Sequence, residues 1–365
     1  MDRLRLAYVA RVSTIVIITG VTSALGLQIL RGANAATTAI AVQPEAGALT
    51  EPATVLSDAP ASGGQAVRFG PEPTLPIPPT PVITPNTIPA PGQVGFRGAE
   101  SSLMTASTTT PPPGLRYNSG SGYFESATNT TRTYDGYKFT RPVNFSSSLP
   151  VNAGVTVTFK NSIFEVPGNQ PYGGFTYQGG FGTTKIIIQD STFRASSPLT
   201  GLYGNGQIHT DVATTALRND ISGRSDGVQN GSGSSTYEQN YIHTPGIFGT
   251  YPNNTHNDGM QFYSGSNIVI RFNRIDIGWN GIHHNGALFF QGSFSGPVIH
   301  NNFLSGGGFT LRLEPGVNGA VVTSNVFKLP AINNPPWGPF THSVGGNTAS
   351  WSGNTLSPNG TVVNR

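Results

Sequence analysis

Two short segments carry most of the chemistry open to this chain. SDGVQ (225–229) and NDGMQ (257–261) share Asp, Gly and Gln at matching places. If they lie in register in a stack of strands, Asp226 and Asp258 stand one layer apart, about 4.8 Å. Carboxylates that close split their pKa values, so one can stay protonated near neutral pH. Asp258 is then a candidate general acid and Asp226 its base or electrostatic partner. HNDGMQF (256–262) and HNGALFF (284–290) also share a register. That expectation puts His256 beside His284, where imidazoles can move protons. Arg224 falls at the same place one layer earlier.

A column of outward side chains extends the candidate site. Strand alternation places Tyr177, Ile208, Val228, Met260, Leu288 and Leu311 inside. Gln178, His209, Gln229, Gln261, Phe289 and Arg312 then face outward along one groove, as candidate substrate-binding groups. Arg312 and Glu314 share a face, and Arg312 is placed to hold a substrate carboxylate by a bidentate pair. His283 is either a site or a turn residue. His209 has Asp211 two places on and is either an acid–base pair or a satisfied surface histidine. Tyr251, Tyr263, Trp279 and Phe289 offer aromatic faces to sugar rings or pack under loops, and Trp337 could wall one end. The bland alternative is that each Asp-Gly marks a turn entering a strand, with Asp capping local N–H groups. No cofactor is expected, with calcium, held by Asp226, Asp258 and amide oxygens, as the alternative. Two carboxylates fall short of the six to eight oxygens calcium wants. His256, His284 and Asp258 have plausible ligand types for zinc, but the case is weak.

The elements that must position these groups announce themselves by a ruler. A β-prone run followed by Asn or Asp recurs at Asn161, Asp190, Asn219, Asn240, Asn273, Asn301, Asn325 and Asn354. Repeats of this length imply a stacked architecture in which each unit contacts its neighbours. No helical period intervenes. The expected fold is all-β: a single-stranded right-handed parallel β-helix of at least eight coils over residues 114–365. The repeated Asn residues are assigned to structure, because Asn tolerates left-handed backbone and can ladder along a stack.

The N-terminal third reads differently. Arg3, Arg5 and Arg11 flank an uncharged apolar stretch from Val12 to Leu30, and Ala33-Asn34-Ala35 follows. Residues 1–35 are expected to be a secretory signal peptide, or else an uncleaved anchor. Residues 36–113 hold 15 of the 29 prolines and no apolar periodicity, so a disordered linker is expected. Beyond residue 35, basic and acidic side chains balance at sixteen each. The overall net charge of +3 is therefore no nucleic-acid footprint. A surface of Asn, Thr, Ser, Gly and Gln suits neutral or weakly charged polyhydroxyl ligands. The chain has no cysteine, which excludes thiolate catalysis and disulfide stabilisation.

Coil sequences such as GVTVTFKNSIF, HNDGMQFYSGSNIVIRFNRI and GGGFTLRL resemble the pectin-lyase-like right-handed β-helix superfamily, and most of all secreted bacterial β-helix proteins with an HNDGxQ motif. The resemblance covers about residues 115–356 and implies a carbohydrate ligand. SDG (Asp226), NDG (Asp258), HHNG (His284) and LRLE (Arg312) follow an order similar to that of polygalacturonase-type hydrolases. The chain departs from that pattern in having a single Asp in the second coil, HHNG in place of GHG, and Glu314 where Lys is expected. Lyase motifs built on Arg or Lys are not matched. Two expectations stand side by side. One is an exported enzyme, hydrolase or lyase, cleaving a polysaccharide. The other is a non-catalytic polysaccharide-binding, adhesin or spike-like protein. Either is secreted or at the cell surface, with a membrane partner only if the N-terminal segment stays uncleaved.

Overall fold

The computed structural model describes residues 53–57, 65–69, 84–180, 182–202, 206–231, 234–250, 253–279, 283–329, 338–342 and 348–365. The expected signal peptide or anchor lies outside these residues, as do Tyr251 and Trp337. Among the described residues, no helix is long and apolar enough to cross a membrane. The chain divides into two units, residues 1–79 and 80–365. In the first, within the stretch expected to lack structure, Ala53–Ser57 pairs antiparallel with Gln65–Phe69.

The second unit is built from three largely parallel sheets visited in rotation. Sheet 1 has nine strands, and sheets 2 and 3 have eleven each. Thr156–Lys160 lies in sheet 1, Ile163–Val166 in sheet 2 and Phe175–Tyr177 in sheet 3. Lys185–Gln189 then returns to sheet 1, beside Thr156–Lys160. This is the arrangement a parallel β-helix requires. The nine strands of sheet 1 match the expectation of at least eight coils.

Each sheet sends at least one column of apolar side chains inward. Sheet 1 contributes Phe159, Ile188, Ala216, Tyr237, Ile270, Ile299 and Val322, paired in that order. Sheet 2 contributes Phe164, Phe193, Ile221, Ile242, Ile275, Leu304 and Phe327. Sheet 3 contributes Phe175, Ile208, Val228, Met260, Leu288 and Leu311. All are buried. Burying a side chain of this size is worth about 1.5–3 kcal/mol. Phe164 stacks face to face on Phe193, with centroids 4.4 Å apart.

The corner between sheets 1 and 2 holds the Asn ladder. Asn219, Asn240, Asn273, Asn302, Asn325 and Asn354 are fully buried. Each amide oxygen from Asn240 onward accepts from both the backbone N–H and the side-chain NH2 of the preceding rung, at 2.9–3.0 Å. Each side-chain NH2 also donates to a strand carbonyl of the coil before, Asn273 to Tyr237 for instance. Ser162 and Ser191 occupy the two lower rungs. This corrects the ruler at three places. Asn161, Asp190 and Asn301 are not rungs but the residues just before them, and they carry left-handed φ of 48°, 50° and 56°. Arg218, Gln239, Phe272 and Ser324 hold the same conformation in the other coils.

The expected boundary at Gly114 falls too late. Residues 84–113 are packed against the stack. Gly95 N–H donates to the Arg218 carbonyl at 2.9 Å. The Gln239 amide donates to the Thr84 and Thr87 carbonyls, and the Arg274 guanidinium to Pro89. Met104–Ala106 adds a parallel strand to sheet 2. At the other end, Gly338–His342 pairs parallel with Phe309–Leu313 and extends sheet 3.

Candidate functional site

Five strands of sheet 3 carry the site: β1 (Ile208–Thr210), β2 (Val228–Asn230), β3 (Asn257–Ser266), β4 (His284–Ser295) and β5 (Phe309–Leu313). Their register puts His209, Gln229, Gln261, Phe289 and Arg312 in one outward column. Below His209 the column continues with Thr176, not Gln178, because Phe175 and not Tyr177 pairs with Ile208. Gln178 instead lies two places along and contacts the His209 ring nitrogens at 3.1 and 3.3 Å.

A cleft of about 440 Å³ opens on this face. Asp226, Asp258, His256, Gln229, Gln261, Phe289 and Arg312 all line it, so most of the residues singled out in the sequence do converge. Asn285, Tyr263, Gln291, Ser225, Asn254, Thr255 and Leu202 complete the lining.

Five candidates fall elsewhere. Arg224 is buried, and its guanidinium donates to the carbonyls of Pro167, Gln170 and Tyr172, which makes it a clamp on the 167–172 loop. His284 is not beside His256: Asn257 pairs with His284, and a bulge follows before Asp258 meets Gly286. His284 is buried behind the cleft, and desolvation lowers its pKa. His283 is half-buried, with Nδ1 3.5 Å from Thr255 Oγ1, outside the lining. His209 is buried one layer beyond the cleft, and burial lowers its pKa against the pull of Asp211. Glu314 lies outside the lining and binds Arg312.

At the base of the cleft sit the two carboxyl groups. Asp226 is 2% exposed and Asp258 is 1% exposed. Asp226 Oδ1 accepts from the Asp258 backbone N–H at 2.8 Å, and Oδ2 accepts from the Gln229 amide at 2.6 Å. Burial pushes the Asp226 carboxyl up to about 7, against those two hydrogen bonds. Burial and the neighbouring Asp226 raise Asp258 well above the usual carboxylate range, and Asn285 and Arg312 oppose the shift. Asn285 bridges the two sides of the site: its amide donates to Asp258 Oδ1 at 3.2 Å, and its oxygen accepts from Arg312 Nη1 at 3.1 Å.

The glycines of the two Asp-Gly pairs are not turn glycines. Neither Gly227 nor Gly259 has positive φ. A Cβ on Gly227 would sit 2.6 Å from the Gly259 carbonyl oxygen, and one on Gly259 would sit 2.4 Å from that of Ala287. Close stacking of the coils, not a reversal of the chain, demands glycine here, and it draws the two Asp residues together.

A polar network roofs the carboxyls. The Gln229 amide also donates to Tyr263 Oη at 3.0 Å, and Tyr263 Oη donates to Gln261 Oε1 at 2.9 Å. The Gln261 amide donates to Gln291. Burial and the nearby carboxylates raise the Tyr263 pKa, so its hydroxyl stays a donor. The Arg312 guanidinium carbon lies 4.5 Å from the Phe289 ring centre, and its Nε donates to Glu314 Oε1 at 2.7 Å. His256 is exposed at the mouth.

The far wall is a loop fastened to itself. Thr255 N–H donates to the Phe248 carbonyl, and Phe248 N–H donates to Thr255 Oγ1. Gly249–Thr250 and Asn253–Asn254 pair antiparallel at its tip. Among the described residues, no group of three or more His, Cys, Asp or Glu side chains is placed to hold a metal ion.

Asn285 was the main residue missed. A gapless alignment of HNDGMQF with HNGALFF hides it, because the bulge that turns it into the cleft adds a residue. Comparisons with family models, curated proteins and solved structures return no match.

Proposed function

We propose that this is an exported, carbohydrate-active, right-handed parallel β-helix of the pectin-lyase-like kind, which cleaves glycosidic bonds by hydrolysis. One observation carries the reading: two adjacent buried carboxyls, both titrating above their usual range, at the base of an open cleft lined by amides and hydroxyls. Parallel crossovers are right-handed almost without exception, which supports the handedness. Asp258, whose pKa burial and the neighbouring Asp226 raise, donates its proton to the glycosidic oxygen. Asp226 accepts a proton from the attacking water or stabilises the developing positive charge. Gln229, Gln261, Asn285 and Tyr263 position the sugar hydroxyls, and His256 stands at the entrance. No resident metal or cofactor is assigned.

Elimination is less well supported. The described cleft lining contains no lysine, and Arg312 is engaged by Glu314 and Asn285. A non-catalytic binder is the second reading. It draws on one specific observation: both oxygens of Asp226 already accept protein hydrogen bonds. A screen over acidic and neutral polysaccharides, following both new reducing ends and absorbance at about 235 nm, separates the three. Hydrolysis gives reducing ends alone, abolished in Asp258→Asn. An absorbance rise would convert the proposal to a lyase, and retention without cleavage to a binder.

A further inference from the structure

We infer that the cleft accepts an uncharged glycan and discriminates against uronates; this rests on the polysaccharide reading above. Arg312 is the cation that would be expected to grip a uronate, and the protein has already filled its grip. Nε and Nη2 both lie 2.7 Å from Glu314 Oε1, so the fork that would take a carboxylate holds one. Nη1 donates to Asn285, and the guanidinium face covers Phe289. Its charge is cancelled beside the cleft by Glu314.

The base of the cleft adds a second barrier. Asp226 and Asp258 are both buried at the base. A uronate seated against them would bring a third carboxyl to a pair that already disfavours its own ionisation. What remains for recognition is neutral. Gln261, Gln291, Asn285 and Tyr263, none of them fully buried, present amide and hydroxyl groups whose chemistry both donates and accepts. Such groups match sugar hydroxyls and reject analogues that leave them unpaired. His256, exposed at the mouth, is too peripheral to replace Arg312 at the base.

The test compares uronans with the same polymers after carboxyl reduction, alongside neutral hexans and pentans, using the full chain. Both cleavage and binding are read. The expected result is cleavage of neutral and carboxyl-reduced polymers, with the parent uronans at least about tenfold poorer in kcat/KM, a difference of about 1.4 kcal/mol. Glu314→Gln frees the Arg312 fork and is expected to raise the uronan-to-neutral ratio about tenfold. A wild-type preference for uronans, lost in Asp258→Asn, would overturn the inference and leave the hydrolase reading standing. An unchanged ratio in a folded Glu314→Gln protein would overturn it too. Should that variant not fold, the carboxyl-reduced pairs on wild type decide. If neither polymer class is cleaved or bound, the polysaccharide reading itself falls, and the inference with it.

Discussion

Burial and a second carboxyl beside it raise the Asp258 pKa well above the usual carboxylate range, against the opposing pull of Asn285 and Arg312. That condition has a measurable consequence for stability. Asp226 rises from 3.8 to about 7 in the folded protein, and Asp258 also rises. Across that window the native state binds more protons than the unfolded chain, so stability falls as pH rises from about 4 to 7. Asp258→Asn removes one titrating partner. It is expected to flatten this slope in thermal denaturation followed across pH, while the proposed hydrolysis drops by at least about 100-fold, the scale of losing a general acid. A slope unchanged in the variant would show that the pair is not electrostatically coupled. Chelation is expected to leave turnover unaltered, since no three-ligand acidic or histidine cluster exists among the described residues. The carboxyl pair was legible in the sequence because two DGxQ segments repeat the same residue types in one register. Asn285, and the separation of His256 from His284, were not, because a bulge shifts the register by one and leaves no mark on residue type.

The ladder shows what one element can and cannot announce. Asn is favoured at two adjacent places in each coil, for different reasons: left-handed backbone at the first, amide stacking at the second. Asn301 and Asn302 fill both, so residue type alone could not choose between them. The buried apolar residue two places after the rung separates the two at Ser191 and Asn302, followed by Phe193 and Leu304, whereas Ile163 and Phe164 are both buried and leave Asn161 and Ser162 undistinguished. Asn273→Ala would strand the Asn240 N–H and the Tyr237 carbonyl in the interior. At about 1–3 kcal/mol for each unsatisfied group, the variant should unfold at clearly lower denaturant concentration. The neighbouring turn gives the opposite sign. Ser324 is exposed at φ 56°, and Ser324→Gly is expected to stabilise by about 0.5–1 kcal/mol. A loss of stability in that variant would mean the left-handed corner carries no strain.

On the scale of the whole molecule, proline content misled the boundary. Residues 84–113 lack periodicity because they do not form a coil. Apart from the Met104–Ala106 strand, they lie along the stack and bond to it at scattered backbone groups, a mode without a sequence signature. A chain starting at residue 114 is therefore expected to melt about 5 °C or more below one starting at residue 80, since several partly buried hydrogen bonds and the Met104–Ala106 strand are lost. Equal melting temperatures would restore the linker assignment.

The rungs are spaced unevenly, by 21 residues between Asn219 and Asn240 and by 33 between Asn240 and Asn273, yet the ladder bonds hold at 2.9–3.0 Å throughout. One corner is kept constant while the other corners absorb insertions. The longest of these intervals carries the Phe248–Thr255 loop that walls the cleft. On the proposed reading, specificity would be modular in this architecture. A transplanted or redesigned wall at that corner should be read out by the same carboxyl pair, with no need to rewrite the coil that supports it.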